Sequence, residues 1–290
     1  MSQLLDPAFL RRLDALKRQL ASKVRSGSIG EGVAPRRGNS SEFREHRPYV
    51  DGDDPRRIDW NASARLGSPM LKLFQADEDR IIRLLVDSSA SLGFGSPSKL
   101  EIAQRLAAAL AYLALANSER AQVFVARSDG ETQASSTGGA RRGRAGFASI
   151  CRELERSEAR GPLDLARAVD AVVARAARPG VLVTLSDFLD SSPYSTSLAR
   201  ARAAGHDLIL IQILNPEELS PALDGDYTLE DSETGVTLSV TADSDTISAY
   251  LTRLEEQHQT LKQLARRQRG TYVRCSTEQD LEITVREILG

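Results

Sequence analysis

Ile81-Ile82-Arg83-Leu84-Leu85-Val86-Asp87-Ser88-Ser89-Ala90-Ser91 is the stretch whose reading decides the fold. From Ile81 to Val86 it is apolar but for Arg83, and it then runs directly into an acid and a cluster of serines. A strand covered by helices on both faces has this form, because side chains pointing up and down both meet apolar neighbours. Asp87 and the serines therefore mark a carboxyl end. Val181 to Leu185 ends in the same way, in Ser186-Asp187-Phe188, and Leu208 to Leu214 is a third apolar run.

Between these runs the chain has helical periodicity. Ser98 to Asn117 reads as a long helix opened by Ser98 and Glu101 at capping-box spacing, with apolar stripes on two sides. Gln122 to Ala126 reads as a strand, and Ser128 to Gly146 as a surface loop carrying Arg141, Arg142 and Arg144. Phe147 to Glu158 and Pro162 to Arg178 read as helices, with Pro162 suited to a first helical position and Pro179-Gly180 as a stop. Ser192 to Ala204, Thr246 to Arg269 and Glu278 to Leu289 read as further helices, and Thr271 to Arg274 as a closing strand. Strands alternating with helices predict an α/β fold: a doubly wound, mostly parallel sheet with helices on both faces.

Two additions flank this core. Tyr227 to Glu230 and Gly235 to Val240 read as a hairpin, an insertion near residues 226–240. Upstream, Phe43 to Tyr49 and Met70 to Gln75 read as short strands, giving small β additions within residues 42–77. Ile58 to Arg65 reads as a helical turn between them, and Val50 to Pro55 as a tight turn. Asp6 to Ala21 reads as an amphipathic helix with Phe9, Leu10, Leu13, Leu16 and Leu20 on one face, and Ser26 to Ser41 as a linker. The expected division is residues 1–79, a helix and an odd charged segment packing on the core, and 80–290, the α/β domain.

Composition narrows the function. The 290 residues are 41% hydrophobic and 27% charged, with a formal net charge of -2, ordinary for a globular chain and without the basic excess of a duplex binder. Arginines 36, 37, 44, 47, 56 and 57 are interleaved with acids, which favours local ion pairs over a phosphate track. Cys151 and Cys275 lie far apart, and His46, His206 and His258 are scattered, so no zinc spacing arises. No stretch approaches the roughly 20 apolar residues of a membrane span, and a cytoplasmic protein is expected. Gly93 to Lys99 fails the spacing of a P-loop.

In an open parallel sheet, ligands gather beyond the carboxyl ends where strand order reverses. If the strands ending at Asp87 and Asp187 are neighbours, both acids face that crevice. Asp87, Ser89 and Ser91 alternate, so they can converge, and their oxygens suit Mg²⁺ or another hard divalent cation. The alternative use of Asp87 is as the nucleophile of a Mg²⁺-dependent phosphohydrolase. Against it, Ser89 stands where a second acid would be wanted, and no lysine is visibly placed at the strand ends to neutralise a phosphate.

Asp87-Ser88-Ser89-Ala90-Ser91 with Asp187 resembles the metal-ion-dependent adhesion site of von Willebrand factor A domains. Phe43-Arg44-Glu45 followed by Gly52-Asp53-Asp54-Pro55-Arg56-Arg57-Ile58-Asp59-Trp60-Asn61-Ala62-Ser63-Ala64-Arg65 closely resembles the signature of the bacterial domain-of-unknown-function family numbered fifty-eight. The resemblance implies a von Willebrand A-like fold and a non-enzymatic protein-interaction module, an assembly or co-chaperone-like partner of a MoxR-type AAA+ ATPase. It also implies Asp87, Ser89, Ser91 and Asp187 as metal ligands. Arg44, Asp53, Asp54, Arg57, Asp59, Trp60 and Arg65 become signature residues with a structural or docking role. One departure stands out: Leu163 occupies the place of the expected threonine ligand. Either Asp164 substitutes, or the metal site is weakened, or partners are bound without metal.

Overall fold

The computed structural model of the chain describes residues 4–25, 43–50, 58–74, 80–128, 132–135 and 138–289. Contacts divide it into one unit of Met1–Ser28 with Ile81–Gly290 and a second of Ile29–Arg80. The N-terminal helix thus belongs to the α/β unit. The linker read at Ser26 to Ser41 and most of the turn at Val50 to Pro55 lie outside the described residues.

In chain order the elements are α1 (Pro7–Arg25), β1 (Phe43–Pro48), α2 (Trp60–Leu66), β2 (Met70–Phe74), β3 (Ile81–Asp87), α3 (Lys99–Ala116), β4 (Arg120–Ser128) and β5 (Thr132–Ser135). There follow α4 (Gly143–Glu155), α5 (Leu165–Arg175), β6 (Val181–Ser186), α6 (Tyr194–Ala203), β7 (Asp207–Leu214) and α7 (Pro216–Leu219). The chain closes with β8 (Gly225–Glu230), β9 (Thr237–Ala242), α8 (Ser244–Arg267), β10 (Thr271–Ser276) and α9 (Leu281–Leu289).

The larger unit is built on a six-stranded sheet in the order β10-β7-β6-β3-β4-β5. All neighbouring pairs are parallel except β4 with β5. From β3 the chain moves outward to β4 and β5, then returns to the other side of β3 for β6, β7 and β10. Strand order therefore reverses between β3 and β6, with Val86 in register with Leu185. Alternation along the strands sends Leu84, Val86, Val123 and Val125 into a core shared with α1, α3, α4 and α9. Leu85, Phe124, Leu182 and Leu208 go to the opposite core with α5, α6 and α8. Both faces are covered, which is why the strands read as continuous apolar runs.

Helix α3 is the central prop of the first core. Leu100, Ile102, Ala103, Leu106, Ala107, Leu110 and Leu113 are all buried, so both stripes read from the sequence are covered. Ser98 caps it by accepting from the Glu101 N–H at 3.2 Å. From α1, Phe9, Leu13 and Leu16 pack into the same core, and Asp14 accepts a 2.9 Å bond from the Tyr112 hydroxyl.

Three sequence expectations are corrected. Part of the loop read at Ser128 to Gly146 is the edge strand β5, polar and short because it pairs on one side only. Helix α4 begins at Gly143, four residues before the expected Phe147. Helix α5 begins at Leu165, not at Pro162, because the Asp164 carboxylate accepts from the Arg167 N–H at 2.9 Å and sets the N-cap there.

In the smaller unit, β1 and β2 pair antiparallel. Between them, Asp59 caps α2 by accepting from the Asn61 and Ala62 N–H groups at 3.1 and 3.2 Å. Gly67 ends α2 at φ +72°, a left-handed cap that costs glycine little. The Ser63 hydroxyl donates to the Asp59 carbonyl and accepts from the Met70 N–H, closing the turn onto β2.

Candidate functional site

The crevice at the switch point is made by the ends of β3 and β6, and the backbone dictates what stands there. After β3 the chain leaves the sheet and makes a 3-10 turn over Ala90–Gly93. The loop before α5 runs alongside it: the Arg160 N–H donates to the Ser88 carbonyl at 2.9 Å, and the Ala90 N–H to the Gly161 carbonyl at 2.9 Å. These bonds fix Ser89 and Ser91 so that their hydroxyl oxygens lie 3.0 Å apart. The expected convergence of the two serines is present.

Asp87 sits beneath them, only 3% exposed. Its Oδ1 accepts from the Ser89 N–H at 2.8 Å and its Oδ2 from the Ser186 hydroxyl at 2.6 Å. Burial, with the charge of Asp187 adding to it, pushes the Asp87 carboxyl up to about 7, although Ser186 and Ser89 pull in the other direction.

Asp187, at the end of β6, is also buried, but its partner is a cation. Lys99, the first residue of α3, places its Nζ 2.8 Å from the Asp187 carboxylate and 2.7 Å from that of Glu218. The lysine side chain is 1% exposed. Burial alone would lower the lysine's pKa, but the two carboxylates outweigh it and hold the value above the ordinary one. A lysine opening a helix opposes the helix dipole, so its place there is explained by these two acids. Lys99 corrects the expectation that no lysine stands at the strand ends.

Further bonds lock the triad. Glu218 accepts from the Asn215 N–H at 2.7 Å, and the Asn215 amide donates to the Phe94 carbonyl at 3.0 Å. Gly95 packs against that amide at φ +93°, and a β-carbon there would collide with the Asn215 side chain. Behind Asp187, the Gln212 amide donates to its carbonyl at 3.0 Å and accepts from the Tyr272 hydroxyl at 2.6 Å.

Sequence reasoning gave no sign of Glu233. It lies at the tip of the β8–β9 hairpin, where Asp231 accepts from the Glu233 and Thr234 N–H groups at 2.8 and 3.2 Å. Burial raises the pKa of the Glu233 carboxyl and the charge of Asp187 adds to that, against the pull of Ser91, Ser89 and the Leu163 backbone nearby.

A divalent cation needs a ring of available oxygens. Both oxygens of Asp87 are engaged, Asp187 is held by the Lys99 ammonium, and Leu163 brings no side-chain oxygen. Asp164 caps α5 and pairs with Arg167 at 3.1 Å instead of turning to the crevice. Among the described residues no cluster of three or more His, Cys, Asp or Glu is arranged to hold a metal. As placed, these side chains do not fit a hard cation.

The signature residues lie apart from this crevice in sequence. Asp59 has a structural role in capping α2, while Trp60 is 70% exposed and Arg65 is exposed in the last turn. Arg44 belongs to β1, and Asp53, Asp54 and Arg57 lie outside the described residues.

Comparison with known proteins adds family and likeness. The sequence profile described as "Protein of unknown function DUF58" matches residues 45–261. An uncharacterized protein of Mycobacterium tuberculosis is 32% identical over 233 residues, spanning 80% of this chain and 73% of that protein. An uncharacterized protein of Mycobacterium avium is 40% identical over 81 residues, covering 28% and 47% of the two chains. Among solved structures, the conserved hypothetical protein BatB from Bacteroides thetaiotaomicron is similar at a TM-score of 0.44 and 12% identity, over 72% of this chain and 97% of that one. A von Willebrand factor type A protein from Catenulispora acidiphila is similar at a TM-score of 0.34 and 16% identity, over 50% and 35%. No helix among the described residues is long and apolar enough to cross a membrane.

Proposed function

This chain belongs to the family of proteins of unknown function DUF58, and we propose that it works by binding a protein partner at the strand-end edge between β3 and β6, without turnover. The observation that carries this reading is the pair of hydroxyls of Ser89 and Ser91, 3.0 Å apart over acids that are already internally engaged. Such an edge offers hydroxyl hydrogen-bond donors. It suits a carboxylate from a partner, and it needs no metal to do so. The family resemblance names a MoxR-type AAA+ ATPase as the first partner to try.

The test is capture of a purified MoxR-type ATPase from the same genome by the intact chain, with Mg²⁺ and with a chelator. Replacing Ser89 and Ser91 together by alanine should abolish capture under both conditions. Equal capture by the wild type and the double variant would remove the edge from the mechanism.

A phosphohydrolase using Asp87 is the second reading, and Lys99 is what favours it, since it places a cation near the strand ends. Yet that ammonium is bonded to Asp187 and Glu218, and both Asp87 oxygens accept hydrogen bonds. Asp87-dependent release of phosphate from para-nitrophenyl phosphate would reverse the ranking.

A further inference from the structure

From Asn215 to Thr252 the chain carries nine acids and no lysine, arginine or histidine, although over its whole length the two signs nearly balance, 40 acids against 38 lysines and arginines. The hairpin of β8 and β9 lies within this stretch and pairs with no other strand among the described residues. Tyr227 stands opposite Val240 and Leu229 opposite Leu238, so these four side chains share one face. That face is uncovered, with Leu229 47% and Leu238 62% exposed. Alternation sends Asp226, Thr228 and Glu230 to the other face, where the Thr241 hydroxyl donates to the Asp226 carboxylate at 2.7 Å. Every residue of β8 is exposed, whereas β9 buries Ala242 at its base and leads into α8. β8 is therefore the outer strand, and its far edge is open to pairing.

We infer that the β8–β9 hairpin docks a basic, amphipathic strand of a protein partner, which pairs with the outer edge of β8. A two-stranded hairpin with an exposed apolar face is marginal in water, and a third strand completes it. The incoming strand lays its apolar side chains beside Tyr227 and Leu229, and its alternate, basic side chains beside Asp226 and Glu230. Charge selects this occupant. A second copy of the chain would bring Asp226 and Glu230 against their own like, which opposes pairing β8 with β8. An anionic lipid surface or a nucleic acid meets the same repulsion. None of these residues belongs to the Ser89–Ser91 edge, so the hairpin is a second docking surface.

The probe is a synthetic peptide of alternating lysine and valine, matching β8 in length, titrated into the full chain to millimolar concentration while the amide NMR signals of β8 are followed. A peptide of the same composition with its valines grouped should bind about tenfold more weakly, and N-methylation along its pairing edge should abolish binding. Leu229→Thr with Leu238→Thr removes the apolar face, keeps strand-forming residues and should weaken binding about tenfold. Asp226→Asn with Glu230→Gln should weaken it by a similar factor and remove most of its salt dependence. All four positions are exposed, so these changes leave the core intact.

Equal binding of a lysine–serine peptide of the same charge would reduce the hairpin to a general attractor of cations and overturn the inference. Unmoved β8 amides at millimolar peptide would overturn it as well. A dimer in sedimentation that Leu229→Thr with Leu238→Thr dissolves would make a second copy the occupant, against the proposal.

Discussion

Replacing Lys99 by methionine tests the electrostatics on which the site is built. Methionine preserves most of the side-chain volume and removes only the charge and its hydrogen bonds. In the wild type the ammonium lies 2.8 Å from Asp187 and 2.7 Å from Glu218, with relative exposures of 1%, 2% and 16%. Without it, Asp187 is a buried carboxylate with no cation in contact. Removing one partner of a buried pair costs about 3–5 kcal/mol, far more than an exposed pair is worth. Glu218 is partly solvated and adds little. The assay is urea unfolding at neutral pH, read as a shift of midpoint at constant slope. Adding Asp187→Asn to Lys99→Met should return about 2 kcal/mol, because the stranded charge is then gone. Lowering the pH should also narrow the deficit, since protonation removes the same charge. A loss below about 1 kcal/mol for Lys99→Met, the scale of a surface pair, would refute the assignment of Lys99 as the site's internal cation.

Two further outcomes follow from the same geometry. Asp87 is held up to about 7 against an ordinary 3.8, so the native chain binds its proton more tightly than the unfolded chain does. Stability contributed by this group is therefore fully present at low pH and declines as pH rises, by about 2–3 kcal/mol between roughly pH 5 and pH 8. Asp87→Asn should flatten that part of the pH–stability curve in thermal melts, and an unchanged slope would discount the shift. Millimolar Mg²⁺ or a chelator should move the melting midpoint by less than about 1 °C, since these side chains do not form a cation cage. A Mg²⁺-dependent rise abolished by Asp87→Ala would reinstate the cation.

The parts of the fold legible in the sequence are those set by local pattern. The apolar runs from Ile81, Val181 and Leu208 are strands because two faces of a parallel sheet must both be dry. Ser98 caps α3 because a hydroxyl there meets an orphan N–H. β5 was hidden because Thr132–Ser135 is a polar segment made a strand only by pairing with β4. Asp87 and Asp187 could be placed in one crevice because each ends an apolar run.

Lys99 and Glu233 could not be placed, and the reason is separation along the chain. Lys99 finds its acids 88 and 119 residues away, and no local periodicity links them. One signal was available: a lysine in the first turn of a helix, against the dipole, calls for acids nearby. For Glu233 even that is missing. An acid at a hairpin turn is ordinary, and only the tertiary fold brings its electrostatics under the influence of Asp187 and the serines.

The charges around the crevice bear on the choice between the two proposed readings, binding and catalysis. A carboxylate nucleophile or base needs an oxygen open to the substrate. Asp87 spends both oxygens on Ser89 and Ser186, and Asp187 and Glu218 share Lys99. On the reading proposed above, what remains at the edge for a partner's carboxylate is the Ser89–Ser91 hydroxyl pair, whose oxygens lie 3.0 Å apart.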